Sequence, residues 1–288
     1  MDTVLSETSA VVARGNRIDV LRVLLTVGIV CLHATTNNLQ PIVWICSVCV
    51  PSFFALSGYL FFWNAPQKPE WRWFRGKIRS RIFTLLIPYL IAVVIAWLCY
   101  YFAIKAAPSM VDGFLGDRWK DPLFVFWTGP INLSLWFIRE LIVVVLLSPL
   151  IYMIIRYTRW WGVLALGVWW AMGKYGGFPY GGPEPLFLFA VGGCLGFHKI
   201  ASVERWLHTG SRIPVSARPW TFFIYLYHYL LLVGVKKGIA RLIPFQGDWA
   251  SIAVWFFSVV LVLAALTAVY ALGRRFLPRV TGILVGGK

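Results

Sequence analysis

A histidine inside the first long apolar run of the chain is the residue best suited to proton chemistry. His33 lies in the run 20–34, eleven residues after Arg22 and fourteen after Asp19. Eleven residues are almost three helical turns, so Arg22 and His33 project from nearly the same face, about 16 Å apart along the axis. An ionisable side chain within a membrane helix is costly and is by default a candidate functional residue.

Two structural explanations compete with a catalytic role for these residues. Asp19 and Arg22 have the i, i+3 spacing of a salt bridge at a helix entrance, with Arg22 reaching toward the membrane surface. His33 could be a hydrogen-bonded histidine that holds helices together. We favour chemistry for His33, because imidazole exchanges protons near neutral pH.

Two further polar groups interrupt apolar segments. Arg139 and Glu140 are adjacent, so on a helix they point about 100° apart and are not expected to pair directly. A carboxylate here could orient or deprotonate a histidine. Tyr225 and His228 are i, i+3 neighbours on one helix face, and a structural hydrogen bond between their side chains is the alternative to a functional role.

A dense cationic block lies at the inner mouth of the third predicted helix. It spans 75–89 and includes Arg79 and Arg81. Guanidinium groups bind phosphates in a bidentate manner, so the block could hold a cytosolic molecule with several phosphates. The alternative is an anchor that touches anionic lipid headgroups. The pair Ser57-Gly58 is favoured as a site of close helix packing.

The composition specifies the environment in which these residues act. The 288 residues are 59% hydrophobic and 13% charged, with a mean hydropathy of +0.74. Such a chain is an all-α polytopic membrane protein. The net charge of +16 fits basic cytoplasmic loops better than nucleic-acid binding. Cys46 and Cys49 have the spacing of a redox motif but are expected to be small apolar residues, and no metal site is expected.

Apolar runs predict about eight transmembrane helices. They cover 18–38, 42–63, 82–104, 134–156, 160–174, 186–198, 220–235 and 250–273. The distribution of Lys and Arg predicts that both termini are cytoplasmic, although the last outer loop then holds Lys236, Lys237 and Arg241. The predicted organisation is a cytoplasmic segment (1–17), one transmembrane domain (18–275) and a cytoplasmic tail (276–288).

Six blocks, in this order, resemble the membrane acyltransferase 3 family. They are Arg17 to Arg22 followed by His33, Phe53 to Tyr59, Arg79 to Tyr89, Leu135 to Glu140, Phe189 to Gly196, and Ile224 to His228. The likeness is strongest to small bacterial members that O-acylate envelope glycans. The chain departs from the family at Pro51-Ser52, where many members carry an Asp. It also has fewer helices than the family's usual number of about ten.

The resemblance implies an O-acyltransferase of the bacterial inner membrane. Acyl-CoA, with acetyl as the expected acyl group, would be the donor, and a hydroxyl of a cell-envelope glycan or lipid-linked sugar would be the acceptor. His33 would be the general base or a transient acyl carrier, and Glu140 would orient it or hold a proton. Asp19 is the third catalytic candidate.

The remaining candidate residues are assigned to substrate binding. Arg17, Arg22, Arg79 and Arg81 would bind the CoA phosphates or stabilise an oxyanion. The other substrate-binding candidates are Arg139, Tyr225 and His228. No bound cofactor is expected, membrane lipids are expected partners, and a homo-oligomer is left open. The alternatives are a transporter of a glycan or lipid-linked sugar, since buried ionisable residues also suit proton relays, and a scaffold subunit.

Overall fold

The computed structural model of the chain is helical throughout its described residues. These are 2–35, 39–106, 120–122, 124–128, 131–173, 182–208, 218–242 and 247–287, and they contain no β-strand. The α-helices are α1 (Asp2–Ala34), α2 (Gln40–Ser47), α3 (Cys49–Phe62), α4 (Trp71–Arg81), α5 (Ile87–Ala106), α6 (Trp136–Leu146), α7 (Ser148–Met153), α8 (Trp160–Ala171), α9 (Glu184–Phe197), α10 (Ala201–His208), α11 (Arg218–Leu242), α12 (Asp248–Phe276) and α13 (Pro278–Leu284).

Within the described residues, three short π-helical turns lie between or beside these α-helices. The turn Ile82–Leu86 joins α4 to α5, so that Trp71–Ala106 is one continuous helix of 36 residues. The turn Ile154–Thr158 extends α7, and Phe124–Thr128 is a separate π-helical turn. A 3₁₀ turn, Leu133–Leu135, leads into α6.

Four helices in the described part of the chain are long and apolar enough to cross a membrane. They are Gln40–Phe62, Trp71–Ala106, Arg218–Leu242 and Asp248–Phe276. Two bent pairs raise the number of spans to 6 if each pair is one span. The chain is therefore a multi-pass helical membrane protein, but the predicted count of about eight and the side on which the termini lie are not confirmed.

Two predicted spans account for the difference in count. The apolar stretch of α1 is short, because α1 ends at Ala34 and carries Arg17, Asp19 and Arg22 just before that stretch. The helix Trp160–Ala171 has 12 residues, fewer than the roughly 20 that an upright crossing needs.

The structure changes the shape of two other predicted spans. The predicted helix 134–156 is bent by 61° between α6 and α7, where Pro149 in the first turn of α7 cannot donate a backbone hydrogen bond. The short predicted helix 186–198 corresponds to α9, which turns by 92° into α10. Lys199, with a φ of 48°, lies at this turn.

The chain divides into two compact units that each draw on separated segments. The first unit comprises Met1–Ile29, Ser47–Lys77 and Val144–Thr221. Within it α3 and α9 cross at very close range. A Cβ atom on Gly192 would overlap the carbonyl oxygen of Ala55, and a Cβ on Gly58 would overlap that of Phe189. The close packing expected at Ser57-Gly58 is therefore confirmed, and its partner is α9.

The second unit comprises Val30–Cys46, Ile78–Val143 and Phe222–Lys288. Here the indole Nε1 of Trp255 on α12 donates to the carbonyl oxygen of Cys31 at 3.0 Å, which fixes the end of α1 against α12. After α13, Gly286 adopts a positive φ of 67° against the carbonyl group of Thr84. A side chain there would be both strained and obstructed.

Candidate active site

Two histidines from distant parts of the sequence lie side by side in the second unit. The ring centroids of His33, in the last turn of α1, and His228, on α11, are 5.4 Å apart with an interplanar angle of 40°. The ring of Tyr229 also lies edge-on to His33, with the two ring centroids 5.4 Å apart. His33 is half-buried and His228 is fully buried. The structure thus places a second titratable ring beside the predicted base.

The backbone around His228 selects the tautomer of its ring. Its Nδ1 lies 2.8 Å from the carbonyl oxygen of Tyr225 and 3.1 Å from that of Ile224. Both are acceptors, so Nδ1 carries the proton in the neutral ring. The Nε2 atom then presents a lone pair, and it has no hydrogen-bond partner among the described residues. A buried acceptor without a partner is unusual in a native protein and is typical of a site that receives a donor from a ligand.

A polar loop holds α11 in place beside this pair. The side-chain amide of Asn132 donates to the carbonyl oxygen of Leu226 at 2.8 Å, and the hydroxyl of Tyr225 donates to the carbonyl oxygen of Ser134. The ring of Phe137 packs on Tyr225 at 5.3 Å. The alternative reading of Tyr225 and His228 as a side-chain hydrogen bond is therefore wrong, because the Tyr225 hydroxyl is used elsewhere.

The sequence reasoning missed Asn132 and Ser134. Both side chains are fully buried, and the side-chain Oδ1 of Asn132 accepts from the hydroxyl of Ser134 at 2.6 Å. The available signal was an Asn immediately before an apolar helix, since short polar side chains favour helix starts.

The prediction that Arg139 and Glu140 do not pair is wrong. The Nη2 and Nε atoms of Arg139 lie 2.9 and 3.1 Å from Oε1 of Glu140, and both residues are buried. Adjacent helical residues leave the helix about 100° apart, but the Arg and Glu side chains are long enough to bend toward each other at the helix surface. In this low-dielectric setting the pair neutralises two charges. The Oε2 atom of Glu140 has no partner among the described residues.

The predicted residues Arg17, Asp19 and Arg22 lie in the first unit. Arg22 donates to Asp19 at 3.1 Å, as the salt-bridge alternative expected. Arg218, at the start of α11, also approaches the Asp19 carboxylate at 3.7 Å. Arg17 donates to the carbonyl oxygen of Trp206 at 2.9 Å. Asp19 thus orients two guanidinium groups, and its catalytic role stays a prediction.

Arg218 is a second functional candidate that the sequence pattern did not single out. The structure makes it the first residue of α11. Arg79 and Arg81 lie in the last turn of α4, with Arg79 exposed and Arg81 half-buried.

Apart from Arg79 and Arg81, the candidate residues form three groups: the histidine pair with Tyr225, the buried Arg139–Glu140 pair, and the arginines around Asp19. In the part of the chain that the structure describes, no three His, Cys, Asp or Glu side chains come together in a way that could hold a metal ion. The chemistry available in these groups is proton transfer and the binding of anions.

The chain has recognisable relatives among known proteins. The ExoH protein of Rhizobium meliloti (strain 1021), named for succinoglycan biosynthesis, is 30% identical to the chain over 170 residues. That match covers 50% of this chain and 44% of ExoH, so the chain spans less than half of the length of this relative. No solved structure is significantly similar. The acyltransferase domain that defines the acyltransferase 3 family matches residues 16–217, and the chain therefore belongs to this family.

Proposed function

We propose that this chain is an O-acyltransferase of the bacterial inner membrane that moves an acetyl group from acetyl-CoA to a hydroxyl of an envelope polysaccharide or lipid-linked sugar. Membership of an acyltransferase family supports the reaction class. The name of ExoH, which links that protein to succinoglycan biosynthesis, supports the class of acceptor. The acetyl group, the CoA donor and the membrane are parts of the proposal.

The observation that carries the proposal is the contact between His33 and His228. In the proposed step the acceptor hydroxyl attacks the thioester carbonyl carbon, a C–O bond forms, and the C–S bond breaks. His33 accepts the proton of the hydroxyl and returns it to the thiolate of the departing CoA. His228, with its proton fixed on Nδ1, offers Nε2 as an acceptor that keeps the attacking hydroxyl or the His33 ring in place.

The arginines supply the complementary charge for the donor. Arg22 and Arg218 are both oriented by Asp19. Their guanidinium groups match the bidentate geometry of phosphate, and the Arg218 side chain is 64% exposed and accessible to a ligand. We assign phosphate binding to these residues together with Arg17, and we retain Arg79 and Arg81 as additional contacts.

Mass spectrometry of envelope glycans tests this function directly. Glycans from a strain that expresses the chain are expected to be heavier by about 42 Da per acetylated hydroxyl, because an acetyl group replaces one hydrogen. Glycans from a strain without the chain lack this addition. Identical glycans in both strains, together with accumulation of an intracellular sugar precursor, would support the transporter alternative.

A further inference from the structure

A lysine that does not fit the predicted bias of basic residues toward the cytoplasmic side lies beside the histidine pair. Lys236 was placed in the last outer loop, where a basic residue is unexpected. That placement is wrong, because α11 continues to Leu242 and Lys236 is a half-buried residue within it. Its ammonium group donates to the carbonyl oxygen of Thr35 at 2.8 Å. Thr35 follows His33 by two residues, so the ammonium group lies at the same end of α1 as the imidazole.

The periodicity of α11 places Lys236 on the face that meets His33. Tyr229 contacts His33, and Lys236 follows Tyr229 by seven residues, which is about two turns or about 10.5 Å along the axis. A lysine side chain can cover most of this distance when it extends back toward the start of its helix. The hydrogen bond to Thr35 shows that it does extend to the end of α1.

The positive charge of Lys236 is not neutralised by a carboxylate within the described part of the chain. The carboxylates of Asp19 and Glu140 pair with arginines. One ammonium hydrogen is used by Thr35, which leaves two for another acceptor. A cation that is partly removed from water and lacks a counter-ion is costly unless an anion reaches it.

We propose that Lys236 is the group that stabilises the oxyanion of the acyl-transfer step at His33. This inference rests on the proposed function. When the acceptor hydroxyl attacks the thioester carbonyl, negative charge develops on the carbonyl oxygen and disappears again when the C–S bond breaks. The ammonium of Lys236 donates to that oxygen while its contact with Thr35 holds it in position. No proton leaves Lys236 during the step.

Substitution of Lys236 separates this role from a structural one. Lys236→Gln keeps a donor for the Thr35 carbonyl but removes the charge, and Lys236→Arg keeps the charge. Lys237→Gln, the adjacent exposed lysine, is the matched control. Acetyl transfer from labelled acetyl-CoA to glycan by the purified full chain in lipid nanodiscs gives kcat and KM, and thermal unfolding reports assembly.

We expect Lys236→Gln to lower kcat by about 10²–10³-fold with KM for acetyl-CoA changed less than about threefold, because the oxyanion exists only in the transition state. The kcat of Lys236→Arg is expected to be at least about tenfold higher than that of Lys236→Gln, and Lys237→Gln is expected to match the wild type. If Lys236→Gln does not assemble, Lys236→Met, which keeps the apolar stem, is expected to show the same loss of kcat.

Three results would overturn the inference. One is a kcat for Lys236→Gln within about threefold of wild type. Another is an equal loss in the Gln and Arg variants, which would assign Lys236 to holding the end of α1. The third is a rise in KM at constant kcat, which would assign it to ground-state binding. A wild-type protein that transfers no acetyl group would refute the proposed function itself, and the inference would fall with it.

Discussion

At the scale of single residues, the site contains polar atoms that the protein leaves without partners. The Nε2 atom of His228 and the Oε2 atom of Glu140 are buried and make no hydrogen bond with the described residues. An unsatisfied buried acceptor costs about 1–3 kcal/mol of stability, so such atoms persist where they serve a ligand or a reaction. These two atoms are therefore the first places to look for contacts with substrate.

His228 provides the first test at this scale. We expect His228→Ala to lower kcat for acetyl transfer by about 10²–10⁴-fold, the range for loss of a group that handles the reacting proton. The neighbouring Tyr227 is the control, because its buried hydroxyl also lacks a partner among the described residues. Tyr227→Phe removes that hydroxyl without changing the ring. We expect Tyr227→Phe to keep wild-type kcat, and a folded His228→Ala protein that also keeps it would show that His228 has no part in the reaction.

The buried ion pair provides a test of stability. Arg139→Met or Glu140→Gln leaves one buried group without its partner and is expected to lower the free energy of unfolding by about 3–5 kcal/mol. The double substitution removes both groups and should cost less than the sum of the two single changes. Unfolding of the detergent-solubilised protein by SDS measures all four free energies. Additive effects would mean that the contact carries no coupling energy.

The residue types of the site could be predicted from the sequence, but several contacts could not. His33 stood out because an ionisable group in an apolar helix is rare. Its contact with His228 joins residues that are 195 positions apart. Local spacing contains no information about such a contact, and the family blocks gave only the order of the residues. The Lys236 contact was also missed, because the predicted helix 220–235 ends before Lys236, whereas α11 continues to Leu242.

At the scale of elements, the crossing of α3 and α9 depends on glycines. A methyl group at Gly192 would overlap the backbone of α3 at Ala55. We expect Gly192→Ala to lower the free energy of unfolding by at least about 1–3 kcal/mol, because two backbones must separate to make room. Gly234→Ala is the control, since a Cβ at Gly234 on α11 meets no atom within 4 Å.

The control is expected to change stability in the opposite direction. Replacing a helical glycine in open space by alanine stabilises by about 0.4–1 kcal/mol, through loss of freedom in the unfolded chain. Both variants are compared by SDS unfolding in the same detergent. A Gly192→Ala protein as stable as wild type would show that α3 and α9 can separate without cost.

Helix positions were predicted better than helix shapes. The predicted spans 42–63 and 250–273 correspond to Gln40–Phe62 and Asp248–Phe276, because long apolar runs leave few alternatives in a membrane. The bends of 61° and 92° were not predicted. Hydropathy measures how apolar a segment is, and it does not report the direction in which the following segment leaves.

At the scale of the whole molecule, the charge bias predicts how the chain is arranged across the membrane. If both termini are cytoplasmic, a reporter fused after Lys288 lies inside and one fused after Leu242 lies outside. We expect green fluorescent protein to fluoresce at the first site and alkaline phosphatase to be active at the second. The reverse pattern at both sites would invert the proposed topology, and with it the side from which the donor enters.

The family match and the candidate site cover different parts of the molecule. The match to the acyltransferase domain ends at residue 217, whereas His228 and Lys236 lie on α11 beyond it. The chain also corresponds to less than half of the length of ExoH. The activity of this chain must therefore be measured on the chain itself.

The proposed role of His33 as the base of an acyl-transfer reaction can be tested in a single assay. Purified wild-type chain and His33→Ala are compared for transfer of labelled acetyl from acetyl-CoA to glycan, with His198→Ala, a half-buried histidine that contacts the Ile155 carbonyl oxygen, as the control. We predict that His33→Ala lowers kcat by at least about 10²-fold while it inserts and folds normally, and that His198→Ala transfers acetyl as wild type does. Near wild-type transfer by folded His33→Ala would contradict the account.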